Sequence, residues 1–192
     1  MNLPNKLTLG RIILVPFFVA ALLIPFPLHT LAALLLFIAA SVTDLLDGKI
    51  ARKNHLVTDF GKFADPLADK ILVLSALLCF VQLGWCDCVA VIVVLFREFA
   101  VTSIRLIAAS KGKVVAANIW GKVKTVTQMV AIITILVLRS AGDIVSLTIG
   151  DVPMMNTAFY ITGECLIWIS TIFAIISGVI YFIQNKHFIA DK

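Results

Sequence analysis

Four aspartates in the first half of the chain, Asp44, Asp47, Asp65 and Asp69, have the type and spacing of metal ligands. In helices, residues three or four apart lie on one face, so each pair would present two carboxylates in one direction. Four carboxylates brought together repel one another unless cations or protons lie between them. Mg²⁺ or Mn²⁺ suits oxygen donors of this kind, and two ions could lie roughly 3.5–4 Å apart. The spacing therefore predicts a site for two divalent cations.

Two glycines and an arginine accompany these aspartates at helical spacing. Gly48 and Arg52 share a face with Asp44 and Asp47, and Gly61 precedes Asp65 by four residues. A missing side chain lets a ligand approach the backbone closely, and an arginine offers a planar fork to phosphate. Metals, glycines and an arginine together predict a pyrophosphate site. Alternatively, the glycines only permit close packing of helices, which leaves the carboxylates unexplained.

The composition indicates the elements that position these residues. The 192 residues are 61% hydrophobic and 14% charged, with a mean hydropathy of +1.06, which excludes an ordinary soluble domain. Six segments approach the roughly 20 residues that a helix needs to cross a bilayer. They are residues 12–27, 31–52, 63–85, 88–109, 119–138 and 158–184. We expect one all-α integral membrane domain, residues 1–192, with a short interfacial segment, residues 2–11, before six transmembrane helices.

The distribution of charge predicts how these helices are oriented. The chain has 16 Lys and Arg against 11 Asp and Glu, a net charge of +5. Nearly all the cations lie on the side of both termini, and the opposite side, including an expected loop at residues 138–157, contributes only Arg139. The positive-inside rule then makes both termini cytoplasmic. Because topology accounts for the excess charge, we expect no nucleic-acid partner.

The second segment indicates how deep the carboxylates lie. Its uninterrupted apolar part, residues 31–43, would be roughly 20 Å long as a helix, which is too short to cross. The helix must therefore continue through Asp44 and Asp47 to Arg52, and these carboxylates would lie at the cytoplasmic edge of the hydrocarbon. Ionisable groups at such depth are expensive and are functional candidates by default.

From Asp44 to Asp69 the sequence reads D-x-x-D-G-x-x-A-R-x8-G-x-x-x-D-x-x-x-D. This resembles the signature of the CDP-alcohol phosphatidyltransferases at all its fixed positions, including the eight-residue spacer. The resemblance implies a homodimeric membrane enzyme that transfers a phosphatidyl group from CDP-diacylglycerol to an alcohol and releases CMP. It also implies that the four aspartates bind two metal ions and that Asp69 is the candidate base for the acceptor hydroxyl. The residues implied to contact CDP-diacylglycerol are Asn5, Gly48, Arg52, Thr58 and Gly61.

Five cations outside the signature are candidates for binding the acceptor: Lys70, Arg97, Arg105, Lys122 and Lys124. A basic cluster beside a pyrophosphate site suits an acceptor that carries its own phosphate, and sn-glycerol 3-phosphate is such a molecule. Residues 97–105 and 121–125 also resemble the bacterial members of the family that use this acceptor. For Arg97, a structural ion pair with Glu98 is the alternative.

Two other functions are compatible with parts of this pattern. Within the family, a cardiolipin synthase would use phosphatidylglycerol, and other members use serine or an inositol phosphate. Outside it, a divalent-cation channel or transporter would also need carboxylates in the membrane. A pore would distribute them across the bilayer, whereas here they gather at one end of two helices. We therefore expect a multi-pass enzyme of a bacterial cell membrane, surrounded by lipid, with its active site facing the cytoplasm.

Overall fold

The computed structural model describes residues 3–53, 59–113, 118–150 and 152–186, without the side chains of residues 3–6, 44–53, 59–66 and 69. The described residues form six helices and contain no strand, which confirms the all-α prediction. The helices are α1 (Leu3–Leu23), α2 (His29–Lys53), α3 (Asp59–Gln82), α4 (Cys88–Ser110), α5 (Ile119–Ile149) and α6 (Pro153–Asn185).

Two of these helices, α5 and α6, are long and apolar enough to cross a membrane. They contain 31 and 33 residues, which corresponds to about 46 Å and 50 Å of helix. Shorter apolar stretches occur in three other helices, at Leu7–Leu23, His29–Thr43 and Lys70–Gln82.

The helices pack around a core of aromatic and aliphatic side chains. α1 packs against α2 and α3, while α6 packs against α4 and α5. Phe18, Phe37 and Phe80 are completely buried, and the ring centroids of Phe18 and Phe37 are 5.6 Å apart. The outer surface is also apolar, since large side chains such as Phe96 and Met154 are more than three-quarters exposed. Exposed apolar surface on this scale is typical of a protein that lipid surrounds.

The N-terminal segment differs from the prediction. From Leu3 onward it is the first part of α1, so the prediction of a separate interfacial segment is wrong for the residues described. Thr8 and Arg11 are buried, and they share one helix face with Val15, Phe18 and Leu22 at alternating spacings of three and four residues. This continuous buried face makes the segment part of the helix bundle.

The expected loop at residues 138–157 is also wrong, because α5 and α6 fill most of it. Tertiary contacts stabilise the helical extension. The Oγ1 of Thr30 donates a hydrogen bond of 2.6 Å to the Oδ2 of Asp143. Next to Asp143, Gly142 lets α6 approach closely, since a Cβ there would lie 3.3 Å from the Phe159 ring. Asp143 and Gly142 are residue types that are common in loops, but here they contribute to contacts between helices.

Candidate active site

The backbones of α2 and α3 carry the positions of the four predicted metal ligands. α2 continues without a break through Asp44 and Asp47, as the short apolar stretch predicted, and α3 contains Asp65 and Asp69. The two helices contact each other. All four side chains lie outside the described residues, so their convergence on metal ions stays a prediction. The donor set itself, four carboxylates, matches the preference of Mg²⁺ and Mn²⁺ for oxygen ligands.

The residues expected to contact CDP-diacylglycerol fall in the same part of the chain. Asn5 is in the first turn of α1, Gly48 and Arg52 are in the last turns of α2, and Gly61 is in the first turn of α3. Except for Thr58, which lies outside the described residues, these positions are known for the backbone only. Their contacts with the nucleotide therefore remain predictions.

The cations proposed for the acceptor lie around a cavity between α3, α4 and α5. This basic cavity has a volume of about 550 Å³. The charged side chains that line it are Lys70, Arg97, Glu98, Arg105 and Lys122. The fifth predicted cation, Lys124, lines a smaller adjoining cavity that shares Lys70 and Glu98 with the first. The structure thus brings all five together, from three helices.

Glu98 connects two of these cations. Its Oε1 accepts a hydrogen bond of 2.8 Å from the Nη1 of Arg97 and one of 2.6 Å from the Nζ of Lys124. The three side chains are 15%, 11% and 6% exposed, respectively. A carboxylate between two cations at this degree of burial compensates charges that would otherwise repel each other. The ion pair between Arg97 and Glu98 is therefore present, and both residues also line the basic cavity.

Arg97 is held by small residues on the neighbouring helices. Its Nη2 donates a hydrogen bond of 2.6 Å to the Oγ of Ser177 in α6. A Cβ at Gly178 would lie only 3.0 Å from the Cγ of Arg97, and one at Gly121 would lie 3.8 Å from its Nη2. The arginine thus lies where α6 has no side chain to obstruct it. Its orientation depends on packing as well as on charge.

Lys70 is oriented by a short chain of hydrogen bonds to α4. Its Nζ donates to the Oγ1 of Thr102, whose hydroxyl in turn donates a 2.7 Å bond to the backbone oxygen of Glu98. Because Lys70 directly follows Asp69 in α3, this contact also connects the segment predicted to bind metal to the helix that carries Glu98.

Arg105 and Lys122 lie at the more exposed side of the basic cavity. The Nε of Arg105 donates a 3.2 Å hydrogen bond to the Oη of Tyr181, and its guanidinium lies 5.5 Å from the centre of that ring. Both cations are exposed. A guanidinium that lies over an aromatic ring can still bind an anion on the side away from the ring. This arrangement can receive an anion, and a phosphate monoester has the matching charge.

Several residues that build this site were missed in the sequence. Ser177 and Tyr181 are four residues apart in α6, and Thr102 follows Glu98 by four residues in α4. One signal was present: a polar or small residue inside an apolar helix, repeated at helical spacing. Their partners are far away in the chain, so the sequence does not reveal which charge each one contacts.

Comparison with known proteins agrees with the resemblance noted from the sequence. The family model described as CDP-alcohol phosphatidyltransferase matches residues 1–180. A protein of Bacillus subtilis is 43% identical over 96% of this chain and 95% of its own length. One of Rickettsia bellii is 38% identical over 97% of each chain. Both are named CDP-diacylglycerol-glycerol-3-phosphate 3-phosphatidyltransferase.

A further relative has a different acceptor in its name. The cardiolipin synthase (CMP-forming) of Oryza sativa is 37% identical over 94% of this chain, which covers 56% of the rice protein. The relatives that this chain resembles therefore differ in the acceptor that their names imply. Together with the match over residues 1–180, they show that the chain belongs to the CDP-alcohol phosphatidyltransferase family.

Proposed function

We propose that this protein transfers the phosphatidyl group of CDP-diacylglycerol to sn-glycerol 3-phosphate, which yields phosphatidylglycerophosphate and CMP. The observation that carries the proposal is the basic cavity, which four described cations line. One of them, Lys70, directly follows Asp69 in α3. A phosphorylated acceptor matches this charge, and the names of the Bacillus and Rickettsia relatives describe the same reaction.

In the proposed binding mode, the acceptor lies along the basic cavity with its two ends in different surroundings. Its phosphate is bound by Arg105 and Lys122, the two exposed cations, through charge-assisted hydrogen bonds. Its reacting hydroxyl points toward the α3 segment that contains Asp69 and Lys70. Glu98 limits the repulsion between Arg97 and Lys124, which lie beneath the ligand.

The chemical step replaces the phosphoanhydride bond of the pyrophosphate with a phosphate ester bond to the acceptor. The acceptor hydroxyl oxygen attacks the phosphorus that bears diacylglycerol, and the bond from that phosphorus to the bridging oxygen of CMP breaks. CMP leaves with the bonding electrons, and Asp69 accepts the proton of the hydroxyl. A carboxylate is a weak base, so this transfer would come late, when the new bond has made the proton acidic. Arg52 stabilises the negative charge that develops on the leaving group.

The proposed cofactors are two divalent cations, Mg²⁺ or Mn²⁺. Asp44, Asp47, Asp65 and Asp69 would hold them, and the all-oxygen donor set supports this choice of metal. When bound, they neutralise charge on the pyrophosphate during transfer. Gly48, Gly61, Asn5 and Thr58 belong to the proposed nucleotide site.

We also propose that the six helices all span a bacterial cell membrane as one domain, residues 1–192, in a homodimer. The match of the family model to residues 1–180 supports a single domain. The excess of Lys and Arg near both termini supports a cytoplasmic location for them. The active site then faces the cytoplasm, where glycerol 3-phosphate is available, and the turn between α3 and α4 lies on the opposite side.

Two cysteines at that turn test the orientation. Cys88 is exposed, whereas Cys86 is buried. Burial, and to a lesser extent the Glu164 carboxylate, raises the pKa of the Cys86 thiol to about 12. Because the thiolate is the reactive form, Cys86 will be nearly inert at pH 7.5. We expect a membrane-impermeant maleimide, added to intact cells, to label a variant that retains only Cys88 and not one that retains only Cys86.

Cell permeabilisation and denaturation provide the controls for this labelling. Labelling of Cys88 only after permeabilisation would reverse the proposed orientation. Labelling of Cys86 in intact cells at the same rate as Cys88 would contradict its burial. Denaturation in detergent should make both thiols reactive, which shows that each variant is present.

The proposed reaction is tested by CMP release from purified protein in detergent with CDP-diacylglycerol and Mg²⁺. Glycerol 3-phosphate, phosphatidylglycerol, serine and inositol phosphate are offered separately. We expect turnover with glycerol 3-phosphate alone, and its loss in Asp65→Ala, because that variant lacks one of the four proposed metal ligands. Arg105→Gln should raise the KM for glycerol 3-phosphate roughly 10-fold or more, as expected for loss of a charged hydrogen bond.

The other outcomes separate the alternatives. Turnover with phosphatidylglycerol alone would retain the family chemistry and overturn the assignment of the basic cavity to a phosphorylated acceptor. Full activity in Asp65→Ala would contradict the proposed metal site. Absence of CMP release with every acceptor, combined with uptake of divalent cations into proteoliposomes, would favour a transporter.

A further inference from the structure

A small polar cavity adjoins the basic cavity on the side toward the middle of α5. This Gln128 chamber has a volume of about 30 Å³. Its lining includes Lys70, Val73, Glu98, Lys124, Thr125 and Gln128. Three of these residues, Lys70, Glu98 and Thr125, also line the basic cavity, so the two spaces are contiguous. A ligand in the basic cavity would therefore lie next to the chamber.

Gln128 gives the chamber a hydrogen-bond donor without an acceptor. The residue is 2% exposed, and among the described residues nothing accepts a hydrogen bond from its buried Nε2. Leaving a buried amide N–H unsatisfied is costly, and most such groups in proteins have a partner. The donor therefore needs an acceptor from outside the protein, which a water molecule or a ligand atom can supply.

The size and chemistry of the chamber suit a hydroxyl group. A space of this volume holds one or two groups the size of a water molecule. A hydroxyl oxygen can accept from the Nε2 of Gln128, and its hydrogen can be donated to the Glu98 carboxylate. A phosphate group is too large for the space. Val73 lies one helical turn after Asp69, so the chamber is next to the α3 segment proposed to receive the reacting hydroxyl.

We propose that the Gln128 chamber binds the non-reacting hydroxyl of the acceptor, on carbon 2 of sn-glycerol 3-phosphate. Gln128 is then a specificity-determining residue, which distinguishes a phosphorylated diol from a phosphorylated alcohol without that group. The inference rests on the proposed function. It adds a basis for specificity, because the cations of the basic cavity alone would bind both phosphorylated compounds equally well.

The experiment compares glycerol 3-phosphate with 3-hydroxypropyl phosphate, which keeps the phosphate and the reacting primary hydroxyl and lacks only the hydroxyl on carbon 2. In the unmodified protein we expect kcat/KM to be roughly 10- to 100-fold higher for glycerol 3-phosphate, as for one buried hydrogen bond. Gln128→Leu should lower kcat/KM for glycerol 3-phosphate by a similar factor and change the value for the analogue less than about threefold.

Thr127→Val is the matched control, because it also removes one polar group from α5. Its hydroxyl donates to backbone oxygens of its own helix, those of Val123 and Lys124 at 3.0 Å and 2.9 Å. This variant should keep the preference for glycerol 3-phosphate. KM for CDP-diacylglycerol, measured in both variants, shows whether the protein remains folded and competent.

Three results would overturn the inference. The first is equal kcat/KM for both acceptors in the unmodified protein, a result that requires no variant. Gln128→Leu could lower kcat/KM for both acceptors by the same factor, as expected if the chamber holds only a structural water or the reacting hydroxyl. Thr127→Val could remove the preference as fully as Gln128→Leu. Absence of turnover with either phosphate monoester, in contrast, would be a failure of the proposed function itself.

Discussion

Asp69→Asn will reduce CMP release by about 10³-fold or more while the protein still binds CDP-diacylglycerol. The amide has nearly the size of the carboxylate, so the fold of α3 should be unaffected. It cannot accept the proton of the acceptor hydroxyl, and loss of a general base alone typically costs about 10²- to 10⁴-fold. The measurement pairs CMP release with equilibrium binding of a labelled CDP-diacylglycerol to the purified variant.

Asp87→Asn is the matched control for this substitution. Asp87 precedes α4, where its side chain accepts a 3.0 Å hydrogen bond from the backbone nitrogen of Val89. Asparagine caps helices about as well as aspartate, so this variant should retain activity and stability. Activity of Asp69→Asn within tenfold of the unmodified protein would refute its assignment as the base. If Asp69→Asn instead lost CDP-diacylglycerol binding, the main contribution of Asp69 would be to hold the metal and the nucleotide rather than to act as the base.

Glu98→Ala will cause the second large effect, on both stability and acceptor binding. The substitution leaves Arg97 and Lys124 beneath the basic cavity without the carboxylate to which both donate. Removing one partner of a buried ion pair costs about 3–5 kcal/mol, and the slight exposure of these side chains favours the lower end. We expect a lower midpoint of thermal unfolding in detergent. The KM for glycerol 3-phosphate should rise at least about 10-fold, because the cations lose their fixed positions.

Glu98→Asp separates the charge from the shape of this group. Aspartate restores the anion with a shorter reach, so it should recover part of the stability and part of the affinity for glycerol 3-phosphate. Glu164→Gln is the remote control, since Glu164 accepts a 3.1 Å hydrogen bond from Tyr160 near the turn between α3 and α4. Unchanged unfolding and unchanged KM in Glu98→Ala would show that Arg97 and Lys124 are held without it.

The parts of this architecture that could be predicted from the sequence depend on local properties. An apolar stretch too short to cross the membrane predicted that α2 continues past Asp44, and the helix does so. The cations of α4 could be grouped because Arg97 and Arg105 are eight residues apart, which is close to one helix face. Length, polarity and helical spacing are all properties of neighbouring residues, so no tertiary information was needed.

The parts that could not be predicted depend on residues that are distant in the chain. In the part of α5 beyond Ser140, Asp143 accepts a hydrogen bond from Thr30, which lies 113 positions earlier. Arg97 is fixed by Ser177, 80 positions later. Read locally, residues 139–149 have the polar and glycine content of a loop. Contacts with other helices can outweigh that local preference, because propensity is a weak term.

The charge of the basic cavity has a consequence for the protein inside a cell. The described side chains that line it comprise four cations and one anion, so the cavity attracts anions in general. Inorganic phosphate and phosphorylated sugars will compete with the acceptor for the basic cavity. Added salt will weaken the binding of all these anions by screening. Electrostatic attraction raises the local concentration of every such metabolite. Discrimination among them must come from groups that carry no net charge and from the exclusion of molecules that are too large.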